Sequence, residues 1–180
     1  EMEPRPEYLD AARQTLGFTQ RHLLTDTDAE HGEMVYYKYK NNVKLGTVVI
    51  GILGIVDLAR QAQTKEYDDL LRKLGNFTKF MAEDNGSFLG YHVPKGHKYH
   101  GRSYDIVPGE AALALVYLAE YFDDDSWIDG LDKYWSYYKP LWRERAKKQK
   151  TNAPWPFYIF DNTTRLSLVP VSYTHLTLPT

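Results

Sequence analysis

The chain has 180 residues, 43% hydrophobic and 26% charged, with 22 Lys and Arg against 24 Asp and Glu. That composition suits a globular domain with a buried core and excludes a disordered chain. The formal charge of −2 offers no global attraction to nucleic acid or anionic membranes, and the absence of cysteine removes disulfides, cysteine nucleophiles and thiolate metal sites.

In chain order, Tyr8 opens an amphipathic helix that leads past Leu16-Gly17-Phe18-Thr19 to a glycine turn, Glu30-His31-Gly32-Glu33-Met34. A short aromatic segment with Tyr36, Tyr37 and Tyr39 follows, then Asn41, Asn42 and Lys44. Residues 45–59 carry Val48, Val49, Ile50, Ile52, Leu53, Ile55, Val56 and Leu58, so a helix here is apolar all round and is expected to be buried all round. The apolar run 48–56 is far shorter than the roughly twenty residues that span a bilayer, so no membrane span is expected.

Tyr67 opens a second amphipathic helix with Leu70, Leu71, Leu74, Phe77 and Met81 on one stripe. It contains Leu74-Gly75-Asn76-Phe77-Thr78, close to the earlier Leu16-Gly17-Phe18-Thr19, and ends in the turn Asp84-Asn85-Gly86-Ser87-Phe88. Val107-Pro108-Gly109-Glu110 opens a second apolar helix to Phe122, with Asp105 a candidate cap, Pro108 suited to a first turn and Glu110 set against the positive end of the helix dipole. Trp127 begins a third, similar stretch, in which Trp135 and Trp142 are packing candidates and the basic cluster 143–150 is a solvated connection. A block of about sixty residues thus recurs, longer than tetratricopeptide or ankyrin units of about 33–34 residues or HEAT and armadillo units of about 40–47.

These blocks, above all Tyr104-Asp105-Ile106-Val107-Pro108-Gly109-Glu110-Ala111-Ala112-Leu113-Ala114-Leu115 followed by Asp123-Asp124-Asp125 and Trp127, resemble the α/α-toroid superfamily in its carbohydrate-related, six-hairpin glycosidase-like members. The resemblance covers roughly residues 8–165 and implies an all-α fold of α/α hairpin repeats. Six hairpins need roughly 350 residues. The expectation is therefore a partial toroid of about three hairpins over residues 1–166, about half a ring, whose partners include the missing hairpins of its parent chain. Residues 167–180 resemble translated sequencing-adapter read-through and are read as a non-native tail.

Chemistry is expected where loops meet the starts of the apolar helices. The loop 91–110 is richest, with Glu110, Asp105 and His100 as candidate catalytic groups and His92, His97, Arg102 and Tyr104 as candidate substrate contacts. Tyr39, Asn42 and Lys44 hold the equivalent place before the first apolar helix, and Trp155 before a third. Aromatic faces beside carboxylates suit a carbohydrate ligand, and ordinary glycoside hydrolysis needs two carboxylates. Glu110 and Asp105 have a second reading as helix-start residues. The spacing of His92, His97 and His100 fits no zinc signature, so no metal and no cofactor are expected. His22 and His31 are read as structural and Asp123-Asp124-Asp125 as a solvated turn rather than a terpene-cyclase motif.

Three functions follow from the resemblance: a hydrolase, lyase or epimerase acting on a glycan, a noncatalytic toroid that binds glycans or proteins, and an isoprenoid- or peptide-modifying enzyme. Catalysis by this piece alone is not expected. The compartment stays open, with sequons at Asn76, Asn85 and Asn162 the only pointer toward secretion.

Overall fold

The computed structural model describes residues 5–40, 42–99 and 107–148. Helix α1 (Pro6–Gln20) begins with proline, whose fixed φ and missing N–H suit a first turn. Strands β1 (Leu23–Asp28) and β2 (Gly32–Tyr39) form an antiparallel hairpin closed at Asp28↔Gly32. Gly32 takes φ +73° in that turn, while Asp28 accepts the backbone N–H groups of Glu30 and His31 at 3.0 Å.

Strand β3 (Asn42–Lys44) runs without a loop into α2 (Leu45–Ala62). Helix α3 (Asp68–Phe80) follows, then strands β4 (Tyr91–His92) and β5 (Lys98–Tyr99), helix α4 (Val107–Phe122), a 3-10 turn at Asp125–Ile128, and α5 (Leu131–Lys148). The strands make one antiparallel sheet in the order β1-β2-β3-β4-β5.

That sheet overturns the all-α expectation, and with it the half-toroid of α/α hairpins and the six-hairpin glycosidase-like layout, and so removes the ground on which a hydrolase activity was expected. The physical reason lies in the segments read as turns and loops. Leu23–Asp28 and Gly32–Tyr39 are rich in Thr, Val and Tyr, which favour the pleated surface, and β3 supplies an edge on which the 91–99 segment continues pairing. The sixty-residue repeat accordingly resolves into helix, antiparallel strands, helix: α1 to α2, then α3 to α4.

Sequence alternation sends the two faces of β2 to different partners. Tyr36 meets Phe77 of α3 at 4.9 Å between ring centroids, while Tyr37 on the other face lies against Gly51 of α2. Met34, Val35 and Tyr36 are all buried in consequence.

Helices α2 and α4 pack side by side and parallel. At their starts, Gly46 admits the Val107 side chain, and at their ends Arg60 pairs with Glu120 at 3.3 Å. Helix α3 runs antiparallel to α4, because Tyr121 near the end of α4 donates its hydroxyl to Asp68 at the start of α3, at 2.7 Å. Leu71, Leu74 and Phe77 form the inner stripe of α3, which the C-cap residue Met81 continues, all fully buried.

Helix α2 is 18 residues long, longer than the apolar run counted in the sequence, and by length and composition long enough to cross a membrane. It is buried on one side rather than all round. Val48, Val49, Ile52 and Val56 are at 0% exposure, but Ile50 is 57% exposed. With α1, that outer side frames an apolar groove of about 420 Å³ lined by Leu16, Ile50, Gly54 and Leu58.

Candidate functional site

The site grows from the junction of β3 and α2. Lys44 is both the last residue of β3 and the N-cap residue of α2, and Leu45 donates its N–H to Gly90 O at 3.0 Å. That bond draws the chain entering β4 against the first turn of α2. Strand β4 then pairs with β3 through Val43↔His92 and Lys44↔Tyr91, and β5 pairs with β4 through Tyr91↔Tyr99 and His92↔Lys98.

Directly paired residues share a sheet face, so Lys44, Tyr91 and Tyr99 line one face and Val43, His92 and Lys98 the other. On the first face, the Tyr91 and Tyr99 rings stack with centroids 5.3 Å apart and planes at 13°. The His97 ring lies 5.6 Å from Tyr99. Lys44 and His97 are exposed and the two tyrosines half-buried. Tyr39 ends β2 opposite Asn42, placing both at the next pair along the β2–β3 ladder.

Glu110 stands in the first turn of α4, three residues after the Val107 that meets Gly46. Residues three apart are neighbours on a helix surface, so Glu110 belongs to the side of α4 near the start of α2. It is half-buried and has no hydrogen bond or ion pair among the described residues. Burial pushes its carboxyl above the ordinary value of 4.5, and no partner offsets that rise.

His92 is not at this surface. It is 3% exposed, and its ring centroid lies 5.5 Å from Tyr36, 5.9 Å from Phe77 and 5.4 Å from Phe80. Neither ring nitrogen has a hydrogen-bond partner among the described residues. Burial pulls its pKa below the ordinary 6.5, the Lys98 and His97 charges pull the same way, and Asp26 opposes them.

No protein-family model matches this chain, and no curated protein matches it in sequence. Function must therefore be argued from the site.

Of the residues singled out in the sequence, the fold brings Glu110, Lys44, Asn42 and His97 to the end of the molecule where α2 and α4 begin, with the backbone of Tyr39 beside them. It sends His92 into the core. His100, Arg102, Tyr104, Asp105 and Trp155 lie outside the described residues. Tyr91 and Tyr99 were missed as contacts, since only strand pairing reveals that residues eight apart stack. His31, read as structural, is so placed: its Nδ1 lies 2.8 Å from Asp28 Oδ1 in the hairpin turn. Hydrogen bonds from His31 hold the Asp28 carboxyl at about 2. Among the described residues no group of three or more His, Asp or Glu is arranged to hold a metal ion.

A cavity of about 390 Å³ lies elsewhere, between the 82–88 turn and the start of α5, with Phe88, Leu115 and Tyr134 lining it beside Glu83, Asp84, Asp129 and Lys133. Part of its charge is already engaged: Lys98 Nζ lies 3.6 Å from Glu83 and donates to Phe80 O at 2.7 Å, and Lys79 donates to Ser126 O at 2.7 Å.

Proposed function

We propose that the end of the molecule where α2 and α4 begin is a carbohydrate-binding surface, with the Tyr91–Tyr99 pair as its contact plane. The observation that carries the reading is the near-parallel stacking of these rings at 5.3 Å on the sheet face shared with Lys44. Tyrosine offers a flat apolar area at small entropic cost together with a polar hydroxyl, which suits the C–H face of a pyranose and its flanking hydroxyls. Lys44 and His97 supply donors at the margin, and Glu110 supplies a carboxyl with no protein partner among the described residues. The first turns of two parallel helices add backbone N–H groups that lack intrahelical partners.

The reading assigns binding and no reaction. Glycan-array screening followed by calorimetry on wild type, Tyr99→Ala and Glu110→Gln tests it. Removing the half-buried Tyr99 ring is expected to weaken binding about tenfold while leaving the circular dichroism spectrum intact. Equal affinity in wild type and Tyr99→Ala would remove the stacked pair from the contact surface.

A further inference from the structure

The side of the β4–β5 ribbon opposite the tyrosines holds a group that binding does not use. His92 is enclosed by Tyr36 from β2 and by Phe77 and Phe80 from α3, with Val43 beside it from β3. Its two ring nitrogens are both buried and have no hydrogen-bond partner among the described residues. A neutral imidazole tolerates such a box far better than an imidazolium, because the charged form loses its hydration and gains no acceptor.

The surrounding charges do not alter that balance. Asp26 on β1 favours the charged form, but its Oδ2 accepts the Tyr36 hydroxyl at 3.2 Å. Lys98 on β5 and His97 in the ribbon turn both oppose it, and Lys98 is fixed by Phe80 O and Glu83. The rings that α3 contributes are uncharged.

The ribbon itself is slight. Two residue pairs join β4 to β3 and two join β5 to β4, with β5 at the sheet edge. Short edge elements open at a fraction of the free energy of global unfolding. His92 and Tyr91 are neighbours in sequence, so His92 cannot leave its box without displacing the tyrosine stack.

We propose that His92 is an acid-operated latch on the binding face: when the imidazole takes up its second proton it leaves the aromatic box, and the β4–β5 ribbon opens with Tyr91 and Tyr99. The open form of the face gains population, by up to about tenfold, between pH 7.5 and 5.5. The latch gains a role in ligand release only if the carbohydrate reading holds, but its structural step is independent of any ligand.

Amide hydrogen exchange, expressed as protection factors at pH 7.5 and 5.5, tests the step directly. Wild type is expected to lose protection by up to about tenfold in β4 and β5 at pH 5.5, the most that one imidazole with an ordinary pKa of 6.5 in the open state supplies, while His92→Phe, which fills the box without a titratable group, stays level. His97→Gln is expected to keep the wild-type response. Parallel profiles in wild type and His92→Phe, a level profile in wild type, or loss of the response in His97→Gln each overturn the latch.

If His92→Phe fails to fold, the His92 ring resonances of the wild-type protein decide. Ribbon amides that shift together with the His92 titration support the latch, and ribbon amides that stay fixed through it overturn it. Glycan affinity in the same two buffers separates the claims: absence of binding at both pH values defeats the carbohydrate reading, while the exchange data still decide the latch.

Discussion

Gly75 and Gly54 show how far one methyl group can swing in this molecule. Gly75 lies in α3 with the Trp127 ring and the Leu118 methyl filling the space a Cβ would need, whereas a Cβ on Gly54 in α2 meets nothing within 4 Å. Gly75→Ala is therefore expected to destabilise by about 1–3 kcal/mol through overpacking. Gly54→Ala is expected to stabilise by about 0.5–1 kcal/mol through helix propensity. Chemical denaturation of the two variants measures both, and equal effects would contradict the packing.

Glu110 makes the residue-scale pH prediction. Its folded pKa is raised by burial, so the folded state holds a proton that the unfolded chain has released. The favourable contribution is complete below the ordinary value of 4.5 and is lost as pH rises through the folded pKa. Glu110→Gln should melt above wild type at pH 7.5, and the gap should shrink by pH 4. A gap independent of pH, measured by calorimetry, would show that the carboxyl is not desolvated.

At the scale of elements, Lys98 pins the edge of the ribbon. Its ammonium donates to Phe80 O at 2.7 Å and sits 4.3 Å from the Phe80 ring centroid. Lys98→Ala is expected to cost about 1 kcal/mol and to speed amide exchange in β4 and β5 before the helices respond. Uniform exchange across the sheet and helices would contradict that local role.

The helices were readable because their signals are long. The stripe Leu71, Leu74, Phe77 and Met81 repeats at helical spacing, and the apolar runs of α2 and α4 exceed any strand in length. The turn at Gly86, with φ +89° and the Lys133 backbone against it, was marked by its Asp-Asn-Gly-Ser sequence. Strands β4 and β5 have two residues each, too few for alternation to register. His92 could not be assigned to the core because its side of the ribbon is fixed by pairing with Val43, more than forty residues earlier. Glu110 was legible, since a carboxyl in the first turn of an apolar helix declares itself in sequence.

For the whole molecule, the first two of the three blocks read in the sequence share the order helix, antiparallel strands, helix among the described residues, and they are unequal in their packing. Gly75 in α3 is covered by Trp127, but Gly17, its counterpart in α1, has no neighbour within 4 Å. Phe18 beside it is 57% exposed and Tyr8 64% exposed. One end of the layered structure is therefore sealed by the 3-10 turn and α5, while α1 leaves an apolar flank. The sheet explains why a helical-hairpin layout was inferred and why it failed: helices carry the strongest periodic signal, and the strands joining them are short and aromatic. The candidate surface at the starts of α2 and α4 is the part of the sequence reading that is carried forward as a proposal.

The most direct test of that surface is a two-dimensional ¹H–¹⁵N NMR titration of the protein with the glycan that binds best on the array. Binding at the proposed face predicts shifts in Lys44, Leu45, Tyr91, Tyr99 and Glu110, with the far ends of α2 and α4 unchanged. Shifts confined to Glu83, Asp84, Asp129 and Lys133 around the separate cavity, or no shifts at saturating glycan, would contradict it.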